Sequence, residues 1–266
     1  MKASLKPTPG VVKEPPVVTL TTDFGTRDPF VGVMKGVILR ICPGAQLVDL
    51  THELPPQDVL AGAIALEDAV GYFPAGTVHL AVVDPGVGTD RPALAVRTDR
   101  HWFVAPDNGL LSFLPEGEIR EIRRIENPDL WLHPVSATFH GRDVFAPVAA
   151  HLAAGIAPER VGPLADGLKR LAFPRPRPTP EGLEGEILGF DRFGNAFTNL
   201  RRPGAAGRAV GVAGRELSLL RTYAEAAPGQ PLALWGSSDR LEIAVRNGSA
   251  RRDLGLERGD RVVLRP

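Results

Sequence analysis

Apolar residues change their spacing several times along the first part of the chain. Short runs rich in Val, Leu and Ile, which indicate strands, alternate with stretches in which apolar residues recur every three or four positions, which indicate helices. The order strand, helix, strand, helix, strand predicts parallel strands joined by right-handed crossovers. These five segments cover residues 17–21, 30–41, 46–50, 58–72 and 77–83.

The pattern continues beyond the fifth segment. Further strands are predicted over residues 93–97 and 101–104. The sequence Pro106-Asp-Asn-Gly109 is expected to open a short helix, and an alanine-rich helix is expected over 142–154. We therefore predict an α/β domain with a mostly parallel sheet for this part of the chain.

A proline-rich segment separates this pattern from a different one. Proline occupies alternate positions from Pro174 to Pro180, which is typical of a semi-rigid extended connector. Beyond it, short β-rich runs are separated by Gly, Asn and Asp turns, which predicts an all-β domain, either a barrel or a sandwich. The predicted organisation is an extension over 1–16, an α/β domain over 17–172, a linker over 173–182 and a smaller β domain over 183–266.

The charge balance and the single cysteine argue against several classes of function. Lys and Arg total 31, as do Asp and Glu, so no basic excess points to nucleic acid or an anionic membrane. Cys42 is the only cysteine, which excludes an internal disulfide and a cysteine-rich zinc site. No apolar run approaches the ~18 residues of a membrane-spanning helix, and residues 1–16 lack the apolar core of a signal peptide. We expect a cytoplasmic protein.

An acid and an arginine bracket a tight turn after the third predicted strand. The strand runs into Asp84, Pro-Gly-Val-Gly follows, and Arg91 comes seven residues after the acid. Ligands of open α/β sheets bind at the carboxyl ends of strands. A carboxylate held by a guanidinium stays ionised and oriented, so it can hold a water and accept its proton. The alternative is a salt bridge that only closes the loop.

A histidine stands at the entrance of the predicted helix over 142–154. It belongs to the segment Phe139-His-Gly-Arg-Asp143, in which Gly141 removes a side chain beside His140. A histidine in this setting can act as an acid, a base or a water anchor. A capping or surface histidine explains the same pattern.

Three more polar turns are candidates for binding a small molecule. Asp23 follows the first predicted strand, where a carboxylate can bind ribose hydroxyls or cap an Asx turn. The turn Asp191-Arg-Phe-Gly-Asn195 can recognise a flat heterocycle by stacking and amide hydrogen bonds, or is an ordinary hairpin with a Gly-Asn turn. The polar loop at 236–240 precedes a predicted strand and is weaker evidence.

Metal and cofactor motifs are missing from the sequence. It contains no His-Glu-x-x-His, no cluster of Cys and His, and no carboxylate series typical of calcium or magnesium sites. It also lacks a Walker loop and a Gly-x-Gly-x-x-Gly fingerprint. We expect neither a metal nor a dinucleotide cofactor.

Taken together, these segments resemble one family, the S-adenosyl-L-methionine (SAM) hydroxide adenosyltransferases, which hydrolyse SAM and are related to the fluorinases and chlorinases. The resemblance runs from about Val17 to Pro266 and is carried by six segments in register. They are Thr21-Thr-Asp-Phe-Gly25, Asp84-Pro-Gly-Val-Gly-Thr-Asp-Arg91, Ala105-Pro-Asp-Asn-Gly-Leu-Leu111, Phe139-His-Gly-Arg-Asp143, Asp191-Arg-Phe-Gly-Asn195 and Glu242-Ile-Ala-Val-Arg-Asn-Gly248.

The resemblance implies specific roles and an assembly. It implies a homotrimer that binds SAM between neighbouring subunits and needs no metal or redox cofactor, with SAM as the substrate. The attacking water would be held by Asp84, Arg91 and His140. Asp23 would bind the ribose. Further substrate contacts would come from Phe139, Asp191, Phe193, Asn195, Ser237 and the backbone around Val245 and Asn247.

Departures from the halogenating relatives favour hydrolysis. Those relatives carry Tyr or Gly at the position of Asp84, lack the histidine of Phe-His-Gly, and have an aromatic residue where this chain has Gln57. A carboxylate at that position would repel a halide and hold water instead. We therefore expect water to attack the ribose C5′ in line and release adenosine and L-methionine. The alternatives are a SAM-dependent halogenase and a SAM- or adenosine-binding sensor with negligible turnover.

Overall fold

The computed structural model describes residues 14–202 and 207–266, which form two compact units that meet between Leu171 and Ala172 in the sequence. Most of the expected extension over 1–16, residues 1–13, lies outside the described residues. Each unit has its own apolar core.

The first unit is built on a six-stranded sheet with helices. Its elements are β1 (Val17–Thr22), α1 (Phe30–Ile41), β2 (Gln46–Thr51), α2 (Val59–Ala69), β3 (Val78–Val82), β4 (Ala93–Thr98), β5 (Trp102–Pro106), β6 (Ile119–Arg124) and α3 (Ala146–Ala153). The strand order is β2-β1-β3-β5-β4-β6. Neighbours from β2 to β5 pair in parallel, and β4 runs antiparallel to β5 and β6. The predicted α/β class with a mostly parallel sheet is confirmed.

Side chains of the central strand β3 point alternately to the two faces of this sheet, and each face has its own apolar cluster. Leu80 of β3 packs in a cluster with Met34 of α1 and Ala149 of α3. Its neighbour Ala81 packs in the other cluster, with Leu66 of α2. Successive strand residues point to opposite faces, so a strand covered on both faces is apolar throughout. The five residues of β3 are all buried for this reason.

One local prediction for the first unit was wrong, and one strand was not predicted. The segment after Pro106 forms turns rather than a helix, because Asn108 Oδ1 accepts a hydrogen bond from the Leu110 backbone and closes an Asx turn. The edge strand β6 was not predicted, since its sequence Ile-Arg-Glu-Ile-Arg-Arg is mostly charged. The predicted helix over 142–154 begins as one π-helical stretch, Gly141–Phe145, and continues as α3.

The second unit is a closed β-barrel of seven strands. Its elements are β7 (Arg177–Thr179), β8 (Gly182–Phe190), β9 (Ala196–Arg201), β10 (Ala209–Val212), β11 (Arg215–Leu220), β12 (Pro231–Trp235), β13 (Arg240–Val245), α4 (Ala250–Asp253) and β14 (Arg261–Arg265). The order β14-β10-β11-β12-β13-β9-β8 closes through a β14–β8 pairing, while β7 pairs with β8 outside the ring. The predicted all-β class of this part is confirmed, and closure leaves the barrel strands without free edges.

Candidate active site

Two aspartates follow adjacent parallel strands of the first unit. Strands β1 and β3 pair in parallel with Thr22 opposite Val82. Asp23 therefore comes one residue after the end of β1, and Asp84 comes two residues after the end of β3. The carboxyl ends of parallel strands meet at one edge of the sheet, which is where α/β folds bind ligands. The expected placement of both acids at one edge is confirmed.

Asp84 and Arg91 form a two-pronged ion pair. Arg91 Nε donates to Asp84 Oδ1 at 2.8 Å, and Arg91 Nη2 donates to Asp84 Oδ2. The two side chains are only 4% and 11% exposed. The guanidinium also lies over the Phe145 ring, with Cζ 5.1 Å from the ring centroid. A fork-to-fork contact of this kind fixes the plane and the orientation of the carboxylate.

His140 contacts the same guanidinium. Its Nδ1 lies 3.3 Å from Arg91 Nη2. Burial and the nearby Arg91 charge lower the pKa of His140, against the opposing effect of Asp84 and Asp143. A guanidinium can only donate hydrogen bonds, so Nδ1 must accept and the ring proton must sit on Nε2. His140 is therefore a neutral imidazole that presents an N–H group at Nε2.

Glycines allow the loop that carries Asp84 and Arg91 to pack against the loop that precedes His140. Gly88 has φ of +77°, and a Cβ atom there would lie 2.4 Å from the Ala137 carbonyl oxygen. A Cβ on Gly141 would lie 3.3 Å from Met34 Sδ, a contact tighter than ordinary packing. The Pro-Gly-Val-Gly turn after Asp84 can therefore lie directly against the loop that carries His140.

A buried acid and an amide anchor these loops, and the sequence analysis had not assigned them a role. Asp143 is fully buried, accepts a hydrogen bond from the Ser136 backbone at 2.8 Å, and binds Arg142 Nε at 2.6 Å. Asn108 Nδ2 donates to the Val83 carbonyl at 2.7 Å and so fixes the residue before Asp84. Both lie inside segments that carried the resemblance, which is the signal that could have identified them.

Asp23 and Phe139 lie in different local settings of the first unit. Asp23 is half-buried, and its Oδ2 accepts a hydrogen bond from the Gln57 backbone at 2.7 Å. Phe139 packs edge-on against Phe24 and Phe30, with ring centroids 6.0 and 5.3 Å away. The structure thus places Phe139 in an aromatic cluster next to the turn that carries Asp23.

The remaining six candidate residues line one open pocket of the second unit. This pocket has a volume of about 840 Å³. Its lining includes Asp191, Phe193, Asn195, Ser237, Val245 and Asn247.

The hairpin turn between β8 and β9 shapes one side of that pocket. Asp191 Oδ1 accepts hydrogen bonds from the backbones of Phe193 and Asn195, each at 2.9 Å, and Oδ2 binds Asn195 Nδ2 at 2.9 Å. These bonds use much of the Asp191 carboxylate, so it acts first as the organiser of the turn. Phe193 is 74% exposed, which is unusual for an apolar aromatic residue and leaves its ring accessible for stacking.

Aromatic and acidic residues complete the pocket, and sequence reasoning missed them. Trp235, Tyr223 and Glu242 also line it, and the Tyr223 hydroxyl donates to Glu242 Oε1. Burial and the Asp191 charge raise the pKa of Glu242, although the Tyr223 hydrogen bond opposes this. Tyr223 begins a single 3-10 turn and Trp235 ends a strand, so neither showed a pattern in the sequence that separates ligand contact from packing.

The described residues contain neither a metal-binding cluster nor a membrane-spanning helix. Among residues 14–202 and 207–266, no group of three or more His, Cys, Asp or Glu residues is arranged to hold a metal ion. No helix in this described part of the chain is both long and apolar enough to cross a membrane.

Comparison with protein families matches both units. The description "SAM hydroxide adenosyltransferase N-terminal domain" applies to residues 18–162, and "SAM hydroxide adenosyltransferase C-terminal domain" applies to residues 185–263. Two solved structures share the fold. One, of a conserved protein from Thermotoga maritima, has a TM-score of 0.86 and 38% identity, and covers 93% of this chain and 99% of that one. The other, from Thermus thermophilus, has a TM-score of 0.79 and 46% identity, with coverages of 94% and 99%.

Curated relatives span nearly the same length. A Thermus thermophilus protein named (R)-S-adenosyl-L-methionine hydrolase is 48% identical over 91% of this chain and 96% of its own length. The protein of that name from Salinispora tropica is 42% identical, with coverages of 93% and 97%. A fluorinase from an Actinoplanes species is 30% identical, with coverages of 86% and 90%. The chain belongs to the SAM hydroxide adenosyltransferase family.

Proposed function

We propose that this protein is an enzyme that hydrolyses SAM to adenosine and L-methionine. The observation that carries the proposal is the buried Asp84–Arg91 ion pair, joined by His140, at the carboxyl edge of the sheet. Hydrolase relatives at 42–48% identity support the same substrate.

The reaction is a substitution at the ribose C5′. A water oxygen attacks C5′ in line with the C5′–S bond; the C–O bond forms as the C–S bond breaks, and the electron pair leaves with sulfur. The sulfonium departs as a neutral thioether, so no acid is needed at the leaving group. The task left to the protein is to place the water and take its proton.

Asp84 is the proton acceptor that the geometry favours. Its oxygens each accept one hydrogen bond from Arg91 and keep further lone pairs for the water. His140 has its Nδ1 lone pair turned to Arg91 and its proton on Nε2, so it can donate a hydrogen bond to the water oxygen rather than take a proton. Arg91 then fixes the orientation of both groups.

Substrate binding is assigned to the remaining candidates. Asp23 accepts hydrogen bonds from the ribose hydroxyls. In the barrel pocket, Phe193 stacks on the adenine and Asn195 pairs with its edge, with Asp191 and Ser237 toward the methionine end and the backbone around Val245 and Asn247 along the adenine. Phe139 supports the ribose side through its cluster with Phe24.

We also propose a homotrimer with the substrate at the subunit interface, which the family resemblance implies, and a cytoplasmic location. The predicted domain limits, 17–172 and 183–266 with a linker over 173–182, are retained with one refinement. Residues Arg177–Thr179 of the linker form a strand paired with β8. No metal or redox cofactor takes part in the scheme, because the reaction involves no net oxidation or reduction and the sulfonium leaving group is already activated.

The test is incubation of the purified protein with SAM and separation of the products, with and without added fluoride or chloride. Adenosine and methionine in equal amounts, independent of halide, are expected. A 5′-halo-5′-deoxyadenosine would indicate the halogenase alternative, and tight nucleoside binding without methionine release would indicate a sensor. Methylthioadenosine as the product would contradict attack at C5′. Size-exclusion chromatography with light scattering tests the trimer.

A further inference from the structure

A buried histidine outside the water-holding set connects the end of β1 to the loop after β2. His52 Nδ1 lies 2.8 Å from Thr22 Oγ1, and His52 Nε2 lies 2.9 Å from Asp49 Oδ1. Lys35 Nζ binds the other oxygen of Asp49 at 2.5 Å. Thr22 and His52 are buried, whereas the Asp49 side chain is 41% exposed. We call the set Thr22, His52 and Asp49 the strand-end relay.

The protons of this relay can be placed from its partners. Burial raises the pKa of Asp49, but hydrogen bonds from His52 and Lys35 outweigh it and the net shift is downward. Asp49 is therefore a carboxylate and accepts the Nε2–H of His52. Thr22 Oγ1 shares a hydrogen bond with His52 Nδ1 at 2.8 Å and also accepts the Phe24 backbone N–H at 3.2 Å. Every polar group of the relay has a partner.

The order hydroxyl, imidazole, carboxylate resembles that of a nucleophilic triad, but the accessibility excludes that role. Thr22 is 0% exposed, so no substrate atom can reach its oxygen. A chain of buried, fully satisfied hydrogen bonds fixes geometry instead. The relay is therefore a positioning device.

The residue that it positions is Asp23. His52 holds the turn on both sides of that residue: its side chain binds Thr22, and its backbone carbonyl accepts the Gly25 N–H at 2.7 Å. We infer that the strand-end relay is a positioning support, which aims the Asp23 carboxylate at the ribose hydroxyls of the substrate. This inference rests on the ribose-binding role proposed above for Asp23.

Thr22→Val tests the inference because it removes the hydroxyl and keeps the shape. A misaimed carboxylate weakens ribose binding, so KM for SAM should rise about tenfold, the worth of roughly one net hydrogen bond. The Kd for adenosine should rise in parallel, whereas kcat should change less than about threefold. Adenosine binding is measured by calorimetry and needs no turnover.

Thr19→Val is the matched control in the same strand. Thr19 is also 0% exposed and bonds a buried histidine, with Oγ1 2.7 Å from His79 Nδ1, but it lies in the core away from the strand end. Both variants should lose comparable thermal stability. Only Thr22→Val should change KM and the adenosine Kd, whereas an equal change in both variants would overturn the inference.

A double-mutant cycle with Asp23→Ala identifies the residue through which Thr22 acts. If the relay works through Asp23, Thr22→Val should add nothing to the KM of Asp23→Ala. Fully additive effects would overturn the inference and leave SAM hydrolysis intact. A wild-type protein that does not hydrolyse SAM, but binds adenosine and shows coupling between Thr22 and Asp23 in the adenosine Kd, would instead overturn the proposed reaction.

A surface variant keeps the test decisive if Thr22→Val does not fold. Asp49→Asn retains an oxygen that can accept the His52 Nε2–H, whereas Asp49→Leu retains none. KM near the wild-type value for Asp49→Asn and a several-fold higher KM for Asp49→Leu are expected. Equal KM values for the two variants would overturn the inference.

Discussion

Arg91 Nη2 lies 3.3 Å from His140 Nδ1 while the same guanidinium holds the Asp84 carboxylate. This relationship determines how the three residues divide their roles. The arginine can only donate, so it fixes the carboxylate as an acceptor and the imidazole as a neutral ring with its proton on Nε2. The set offers one proton acceptor and one donor to the same water.

Replacement of Asp84 should remove most of the turnover of SAM and leave adenosine binding largely unchanged. Asp84→Asn keeps the shape but loses the charge that takes the proton, so kcat for SAM should fall by about 10²- to 10⁴-fold, the usual range for a general base. The Kd for adenosine should stay within about threefold. Product formation is followed by chromatography and binding by calorimetry. Turnover equal to that of the wild type would contradict the role of Asp84.

Activity should persist well into mildly acidic conditions. Burial and Arg91 lower the pKa of His140, so the neutral ring survives as the pH falls through 6.5 and is lost only below that value. We expect kcat to stay constant from pH 8 to about pH 6.5, the ordinary histidine pKa, and to fall at lower pH. The His140→Gln variant should have a lower kcat, and its kcat should not show the fall below pH 6.5 that protonation of His140 causes. A decline that begins above pH 7 in the wild type would contradict a neutral His140.

Two histidines in the core should make stability depend on pH. Burial lowers the pKa of His79 to about 3, with His101 contributing, and burial lowers that of His101 to about 4, with Arg100 contributing. The unfolded chain therefore binds more protons below the ordinary pKa of about 6.5. The stability due to these neutral rings is fully present above pH 6.5 and is lost as the pH falls toward the folded-state pKa values of about 4 and 3.

Each of the two rings should contribute a loss on the order of 3 kcal/mol in the free energy of unfolding at pH 4. Urea unfolding at a series of pH values measures it. His79→Phe should reduce the slope of stability against pH between 6.5 and 4, even if it lowers stability at pH 7. His133→Gln, at an exposed site, is the control and should keep the wild-type slope. An unchanged slope in His79→Phe would refute the assignment.

Glycine at position 88 should be required for the active arrangement of the loops. Gly88→Ala combines a positive φ of +77° with a Cβ atom 2.4 Å from the Ala137 oxygen. Gly76→Ala has φ of +88° but no atom within 4 Å of the added Cβ, so it isolates the backbone cost, roughly 1 kcal/mol. Gly88→Ala should lower kcat at least tenfold, because the Asp84 turn must move away from the His140 loop. Equal activity in both variants would show that the close approach has no role.

The candidate site divides into parts that the sequence could and could not reveal. Asp23, Asp84 and His140 stood out because each follows an apolar run or opens a helix, and such boundaries are local properties of the sequence. Asp143 and Asn108 did not stand out, because their importance comes from the loops that they bridge. Tyr223 and Glu242 were missed for the same reason, since a pocket wall has no sequence period.

The sequence by itself determined most strands and helices of the first unit and their order, because burial imposes a spacing of two residues on strands and of three to four on helices. The charged edge strand β6 escaped this rule, since little of it is buried. Only the tertiary structure decided that Arg91 meets His140, 49 residues away, and that His52 supports the turn of Asp23. Such contacts depend on which loops the sheet brings together at its edge, and a local sequence pattern cannot predict contacts between residues that are far apart in the chain.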